Sequence, residues 1–200
     1  MASELIFRVG FWFLLGLVLL MRVYFSIRVR QAGERLLPDR QAVRREGRGI
    51  FLARATLFFL LIGWMVLYAW NPPWLGVLSI LFPPWLRWVG FALGLASLAL
   101  WTWVQAVLGK HWSAQLQMRD EHHLITVGPY ARVRHPLYTA MFGYGVGLAL
   151  VTANWAFVAL AVLVVAGGVV RAPREEQMMI EQFGEEYRAY MRRTGRFLPR

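Results

Sequence analysis

The sequence contains no cysteine, which excludes disulfide bonds, thiolate chemistry and cysteine-ligated metal sites. Charge is also scarce, because only 16% of the 200 residues are charged, whereas 58% are hydrophobic. Few of the charges are negative: 11 acidic residues stand against 22 lysines and arginines, which gives a formal net charge of +11. This composition excludes an ordinary water-soluble domain and indicates an integral membrane protein.

The positive net charge could indicate a nucleic-acid-binding protein, but no basic soluble module is visible in the sequence. The arginines lie instead in bands between apolar runs, as in the cytoplasmic loops of multi-pass membrane proteins. We therefore expect membrane lipids, and no nucleic acid, among the partners of the chain.

Long hydrophobic runs occur in five segments, at about residues 5–27, 51–70, 85–108, 137–151 and 155–170. The first three are long enough to cross about 30 Å of hydrocarbon as helices. The last two are shorter and predict a tight hairpin that turns at residues 152–154. No small-residue cleavage site follows the first run, which favours a retained first span. We predict an all-α integral membrane protein with about five transmembrane helices, two of them forming the short hairpin.

The placement of arginine predicts the orientation of these helices. Seven arginines lie between residues 28 and 48, whereas residues 71–84 carry no charge. The positive-inside rule makes the first of these loops cytoplasmic. Alternation then places the N-terminus outside, and residues 110–134 and the C-terminal tail in the cytoplasm.

The C-terminal tail has the pattern of a separate cytoplasmic helix. Pro173 suits its first turn, Gly195 and Pro199 suit its end, and acidic and basic residues favour its two ends. A stripe at four-residue spacing predicts a packing face on this helix, and it consists of Met179, Phe183, Tyr187 and Met191. No repeat or soluble domain is apparent, so we expect one domain over residues 1–200.

Polar residues concentrate in two segments, 110–138 and 171–176, which the short hairpin separates. The two ends of a hairpin lie on one face of the membrane, so both segments should meet there. Arg171 and Glu175 are four residues apart and share one side of a helix. Taken alone, Arg134 suits a side chain that snorkels to the headgroups. Taken together, the two segments favour a site at the membrane interface.

The composition of this site argues against several kinds of chemistry. The four histidines, His111, His122, His123 and His135, have no recognised metal-ligand spacing, so we expect no metal. A phosphate-binding Walker loop and a GxSxG nucleophile motif are both absent from the sequence.

Three stretches together, HHLITVGPYARVRHPLY, RxxxEE and FGEEYRAYMRRTGRFLP, resemble the isoprenylcysteine carboxyl methyltransferase family. These are integral membrane methyltransferases that use S-adenosylmethionine and are related to phospholipid methyltransferases. The resemblance begins at Gln115, and it implies three anchoring spans over residues 1–108 and a cofactor-binding catalytic core over residues 109–200. It implies that Arg171 acts near the substrate. The residues implied to line the methyl donor are Gln115, His122, His123, Leu124, Ile125, Tyr130, His135, Pro136, Leu137, Tyr138 and Glu175.

The implied reaction is methyl transfer to a lipophilic acceptor, with the carboxylate of a prenylcysteine-like or isoprenoid substrate favoured. Such a transfer depends on positioning rather than on acid or base catalysis, because the positive sulfur already activates the methyl group. It requires no metal. The polar donor is expected to enter from the cytosol, and the acceptor to arrive laterally from the bilayer.

Three other functions remain open on the sequence alone. One is N-methylation of a phospholipid amine, which needs a nearby base because the amine must first lose a proton. Another is an NADPH-dependent sterol-type reductase, since such reductases share an RHPxY-like segment, although Leu137 and Ala140 depart from their usual pattern. The last is a non-catalytic membrane scaffold.

Overall fold

The computed structural model describes residues 2–31, 48–108 and 124–200. Over these residues the chain is helical, and its β-pairing is confined to isolated bridges. The α-helices are α1 (Ala2–Gln31), α2 (Arg48–Trp70), α3 (Pro84–Leu108), α4 (Pro136–Thr152), α5 (Trp155–Phe183) and α6 (Glu185–Arg193). Short 3-10 helices occupy Pro73–Leu78 and Gly128–Ala131.

Four of the helices, α1, α2, α3 and α5, are long and apolar enough to cross a membrane, and α4 is a shorter apolar helix of 17 residues. The predicted all-α, multi-pass membrane fold is thereby confirmed. The expectation that the last hydrophobic segment forms a short helix is wrong, because α5 has 29 residues and extends well beyond its apolar part.

Helices α3 and α4 pack closely because small residues line their interface. A Cβ atom added to Gly147 would lie 2.8 Å from the carbonyl oxygen of Gly90, and one added to Gly90 would lie 2.4 Å from Cβ of Leu150. Glycines at such positions let two helix backbones approach, which maximises van der Waals contact in lipid. This contact fixes the direction of α4, whose first turn carries part of the polar segment.

The α4–α5 hairpin turns where the sequence predicted. Helix α4 ends at Thr152, Ala153 adopts a left-handed conformation with φ of 46°, and Asn154 caps α5. The cap is a side-chain hydrogen bond in which Asn154 Oδ1 accepts from the backbone N–H of Ala156 at 3.0 Å. The antiparallel hairpin returns residues 171–176 of α5 to the level of the start of α4.

An aromatic cluster ties α1, α2 and α5 together in the apolar core. Phe11 packs edge-on against Tyr68 at a centroid distance of 4.8 Å and against Phe157 at 5.5 Å, and the last two rings are 5.1 Å apart. Edge-to-face rings at these distances have favourable quadrupole contacts in addition to the area they bury. The cluster makes the long helices one packed unit within the described residues.

An ion pair between a buried arginine and an exposed glutamate lies at the end of the bundle that carries the hairpin turn. Arg87, 4% exposed, contacts the Glu4 carboxylate at 2.5 Å and donates two hydrogen bonds to the carbonyl oxygen of Val151. Its guanidinium also lies 4.0 Å from the Phe7 ring centroid. Arg87 therefore lies at the end of the bundle opposite the arginine-rich end of α1. Glu4 balances its charge there.

The C-terminal tail differs from the single separate helix that the sequence predicted. Helix α5 continues through Pro173 to Phe183, and the break comes at Gly184, with φ of 55°, before α6 begins. Both sides of the proline are held by packing, since Ala172 is fully buried and Glu176 is 3% exposed. Tertiary contacts therefore override the local preference of proline for a helix start.

Candidate functional site

The Gly128–Tyr138 segment enters α4 through a series of conformationally restricted residues. Gly128 has φ of 61°, and a Cβ atom there would lie 3.0 Å from the Val107 side chain, so glycine suits both the backbone and the space. Pro136 occupies the first turn of α4 and is buried, and His135 is the residue preceding the helix. This rigid entry holds the His135 and Tyr138 side chains against α5.

Glu175 brings together the predicted residues of α4 and α5. Its Oε1 atom accepts a hydrogen bond from Arg171 Nε at 2.7 Å and another from the Tyr138 hydroxyl at 2.9 Å. Its Oε2 atom lies 3.5 Å from Nδ1 of His135. The structure therefore unites four of the predicted site residues around one carboxylate, whose side chain is 23% exposed.

Glu176 forms a second, more deeply buried centre, and the sequence placed it in the polar segment 171–176 without indicating a role for it. Its carboxylate accepts from Arg134 Nε at 2.8 Å and from Arg196 Nη2 at 2.6 Å, and its side chain is 4% exposed. His135 Nε2 lies 3.4 Å from Glu176 Oε1. The RxxxEE pattern contained this residue, but its arginine partners are 42 and 20 positions away in sequence. Sequence spacing could not reveal them.

Arg134 does not snorkel to the headgroups as expected for that residue alone. Its side chain is 9% exposed, and besides Glu176 it donates to the carbonyl oxygens of Met191 and Thr194. A buried guanidinium with several acceptors is a structural anchor. Here it joins the RHPLY segment, Arg134–Tyr138, to the end of α6.

The electrostatics of the site centre on His135, which lies between the two carboxylates. Burial of the imidazole disfavours its charged form, but the contacts with Glu175 and Glu176 outweigh burial and raise the pKa of His135 above its ordinary value. His135 Nε2 is buried and makes no hydrogen bond with any described residue. The two carboxylates therefore favour the protonated form of the imidazole.

Aromatic rings border the same cluster. The His135 ring stacks on Tyr138 at 5.5 Å, and the Tyr138 ring lies nearly parallel to Phe142 at 6.1 Å. Phe197, near the C-terminus, contacts all three, at centroid distances between 5.4 and 6.4 Å. The site therefore combines carboxylates with an aromatic wall.

The remaining predicted site residues are placed less closely. Tyr130 is half-buried, its carbonyl oxygen accepts from the Tyr190 hydroxyl at 2.6 Å, and burial raises the pKa of its phenol. Leu124 and Ile125 lie in non-helical chain before Gly128, and Leu137 lies in the first turn of α4; all three are half-buried. Gln115, His122 and His123 lie outside the described residues. No group of three metal-ligating side chains occurs among residues 2–31, 48–108 and 124–200.

The fold and this cluster define a helical, multi-pass membrane protein with a polar, carboxylate-centred site at the end of a short helical hairpin. Residues 88–181 match the model of the isoprenylcysteine carboxyl methyltransferase (ICMT) family. This match confirms the resemblance to that family drawn from the motifs.

Individual relatives agree with the family match. The human protein-S-isoprenylcysteine O-methyltransferase is 36% identical over 86 residues, which cover 42% of this chain and 30% of that protein. The nickel-cobalt-cadmium resistance protein NccN of Alcaligenes xylosoxydans xylosoxydans is 34% identical over 96 residues, which cover 48% of this chain and 45% of that protein.

A solved structure of the eukaryotic intramembrane Ras methyltransferase ICMT has a similar fold, with a TM-score of 0.50 and 26% sequence identity. The match covers 57% of this chain and 42% of that one. The chain therefore spans less than half the length of each of these relatives.

Proposed function

We propose that this chain is an integral membrane methyltransferase that transfers a methyl group from S-adenosylmethionine to the carboxylate of a lipophilic acceptor, such as a prenylcysteine or an isoprenoid acid. The observation that carries the proposal is the convergence of Arg171, Tyr138 and His135 on Glu175. These residues lie within or directly beside the segment that matches the family, and the hairpin places them where apolar helices meet a polar cluster.

The side chains fit the chemistry of the donor. S-adenosylmethionine presents an ammonium, ribose hydroxyls and a positive sulfonium, which suit a carboxylate and aromatic ring faces. The partly exposed Glu175 carboxylate and the adjacent Tyr138 and Phe142 rings supply both. The buried His135 Nε2 lies 3.4 Å from Glu176 Oε1 without forming a hydrogen bond to it, and in its protonated form it can donate to a ligand oxygen. We therefore assign His135, Pro136, Leu137, Tyr138, Glu175 and Tyr130 to the donor, together with Leu124 and Ile125.

The assigned donor site extends to residues that the structure does not describe. By their positions in the motif, Gln115, His122 and His123 belong to the same site, and this assignment rests on the family pattern alone.

The donor, when bound, supplies a methyl group that its positive sulfur already makes electrophilic. The chain therefore has to position groups rather than to transfer protons. A carboxylate acceptor is ionised near neutral pH and requires no base. Arg171 is suited to hold this carboxylate, because a guanidinium has five N–H donors and its Nε contact to Glu175 fixes its plane.

Two features of the site weigh against the other functions. N-methylation of an amine needs a base, but the two neighbouring carboxylates raise the pKa of His135 and favour its protonated form, which cannot accept a proton. For an NADPH-dependent reductase, Leu137 and Ala140 depart from the usual pattern, and Ala140 is fully buried. The family match also names methyltransferases rather than reductases.

The proposed orientation follows the arginine distribution. The starts of α1 and α3 meet the end of α4 through Glu4, Arg87 and Val151, so the end of α1 that adjoins the arginine-rich segment 28–48 lies on the side of Glu175. This arrangement supports a cytoplasmic site with the N-terminus outside. The donor then enters from the cytosol, and the acceptor reaches the same cluster laterally between apolar helices. The first three spans serve as the anchor, and residues 109–200 as the catalytic core.

Calorimetric titration of the detergent-purified chain with S-adenosylhomocysteine, and with NADPH in parallel, tests the proposal. We expect saturable binding of S-adenosylhomocysteine alone, followed by methyl transfer from labelled donor to an S-farnesylcysteine analogue and not to phosphatidylethanolamine. Binding of NADPH alone would identify a reductase. Binding of neither compound would favour a scaffold, and transfer to the phospholipid amine would overturn the assigned acceptor.

A further inference from the structure

The last seven residues of the chain, Thr194–Arg200, fold back over the RHPLY segment; we name them the C-terminal strap. Backbone hydrogen bonds hold the strap there: the N–H groups of Arg134 and His135 donate to the carbonyl oxygens of Gly195 and Arg196 at 2.9 and 3.0 Å. In return, Gly195 N–H donates to the carbonyl oxygen of Arg132 at 3.1 Å. The strap is therefore paired with the chain immediately before α4.

Three side-chain hydrogen bonds also hold the C-terminal strap in place. Arg196 donates to the buried Glu176 carboxylate at 2.6 Å. The Thr139 hydroxyl donates to the carbonyl oxygen of Phe197, and the Thr194 hydroxyl donates to that of Tyr190 at 2.6 Å. Thr194 is 1% exposed, so the start of the strap is part of the packed interior.

These contacts place the Phe197 ring against the aromatic side chains of the site. Its centroid lies 5.9 Å from that of His135, 6.4 Å from that of Tyr138 and 5.4 Å from that of Phe142. The ring is edge-on to Tyr138, at an interplanar angle of 68°. The next residue, Leu198, is 71% exposed. The Phe197 side chain therefore faces the site, whereas the Leu198 side chain faces away from it.

We propose that the C-terminal strap forms one wall of the S-adenosylmethionine site and that Phe197 is a positioning residue, whose ring holds His135 and Tyr138 in their donor-binding orientation. This inference rests on the proposed function. The Tyr138 hydroxyl donates to Glu175 in the present orientation of its ring, and Phe197 lies edge-on to that ring with its centroid 6.4 Å away. The hydrogen bonds to the carbonyl oxygens of Gly195, Arg196 and Phe197 fix the backbone of the strap, and with it the position of the Phe197 ring at the site.

Three variants separate a positioning role from simple packing. Phe197→Leu retains apolar volume but removes the ring, Phe197→Tyr retains the ring, and Leu198→Ala alters the exposed neighbour as a matched control. We expect Phe197→Leu to bind S-adenosylhomocysteine about tenfold more weakly, which is the size of effect that aromatic pairs support. We expect Phe197→Tyr and Leu198→Ala to bind it as the unmodified chain does.

Steady-state kinetics supply a readout that a general loss of structure would not give. Phe197→Leu should raise KM for the donor, while KM for the S-farnesylcysteine analogue and the Tm in detergent stay near those of the unmodified chain. Unchanged donor affinity in Phe197→Leu would overturn the inference, as would an equal loss in Phe197→Tyr accompanied by a lower Tm. Failure of the unmodified chain itself to bind S-adenosylhomocysteine would instead contradict the proposed function, and the inference with it.

Discussion

The Tyr138 hydroxyl donates a hydrogen bond to Glu175 Oε1 at 2.9 Å and so joins the first turn of α4 to the polar end of α5. The two residues are 37 positions apart in sequence. The intervening hairpin is almost entirely apolar, and its glycine-lined contact with α3 sets its direction. A change at either residue should therefore alter the site while leaving the packed hairpin intact.

Replacing Glu175 with glutamine should weaken donor binding. The variant loses the charge that Arg171 and Tyr138 contact, and a hydrogen bond to a charged group contributes about 1.5 to 3 kcal/mol. We expect S-adenosylhomocysteine to bind about tenfold to a hundredfold more weakly in calorimetry. Glu181→Gln, an exposed change on the same helix, is the matched control. Equal affinities in the two variants would remove Glu175 from the donor site.

The closeness of Tyr138 and Glu175 could be predicted from sequence, whereas the environment of Glu176 could not. A hairpin of two short apolar runs must bring its two polar ends to one face, so the first pair follows from pattern alone. The contacts of Glu176 depend on α5 continuing through Pro173 and on the strap returning to the site. Both are tertiary outcomes, and local preference at proline indicated the opposite. The Glu4–Arg87 pair was missed for a similar reason, since 83 residues separate its members.

Replacing Arg171 with alanine should lower turnover much more than donor affinity. Glu175 keeps its contacts with Tyr138 and His135 in this variant, whereas the proposed partner of the acceptor carboxylate is lost. We expect kcat to fall by about tenfold or more, with a donor affinity within about threefold of the original. Arg174→Ala, on an exposed position of the same helix, should change neither value. A large loss of donor affinity in Arg171→Ala would contradict the assigned role.

The thermal stability of the chain should fall as the pH rises above the ordinary pKa of histidine. Because the folded state raises the pKa of His135, it binds a proton that the unfolded chain releases near its ordinary pKa of about 6.5. The stabilisation is complete below that pH and is lost as the pH rises through the folded pKa. Above about pH 6.5, the Tm should therefore decline more steeply than in His135→Gln. Parallel Tm curves for the two proteins would show that folding does not raise the pKa of His135.

Replacing Arg134 with alanine should destabilise the fold itself. In this variant the Glu176 carboxylate, which is 3% exposed, loses one of its guanidinium partners. The carbonyl oxygens of Met191 and Thr194 lose the hydrogen bonds that Arg134 donates. Breaking a buried pair from one side costs about 3 to 5 kcal/mol. Denaturant unfolding in detergent should show this loss, whereas Arg132→Ala, an exposed change two residues earlier, should stay within about 0.5 kcal/mol. Comparable stabilities for the two variants would mean that Arg134 does not anchor the C-terminus.

Two glycine-to-alanine changes should have opposite effects on stability. In Gly147→Ala the new methyl group would lie 2.8 Å from the Gly90 carbonyl oxygen and 2.9 Å from Gly94 Cα, and neither backbone can yield without separating α3 from α4. Overpacking of this kind costs about 1 to 3 kcal/mol. Gly167→Ala, on α5, meets nothing within 4 Å, and alanine favours a helix over glycine by up to about 1 kcal/mol. Tm measurements should therefore show a decrease for Gly147→Ala and an unchanged or slightly higher value for Gly167→Ala.

Because the α3–α4 contact also directs the RHPLY segment toward Glu175, Gly147→Ala should weaken donor binding as well. An unaffected Tm in that variant would show that the two helices are not in close contact.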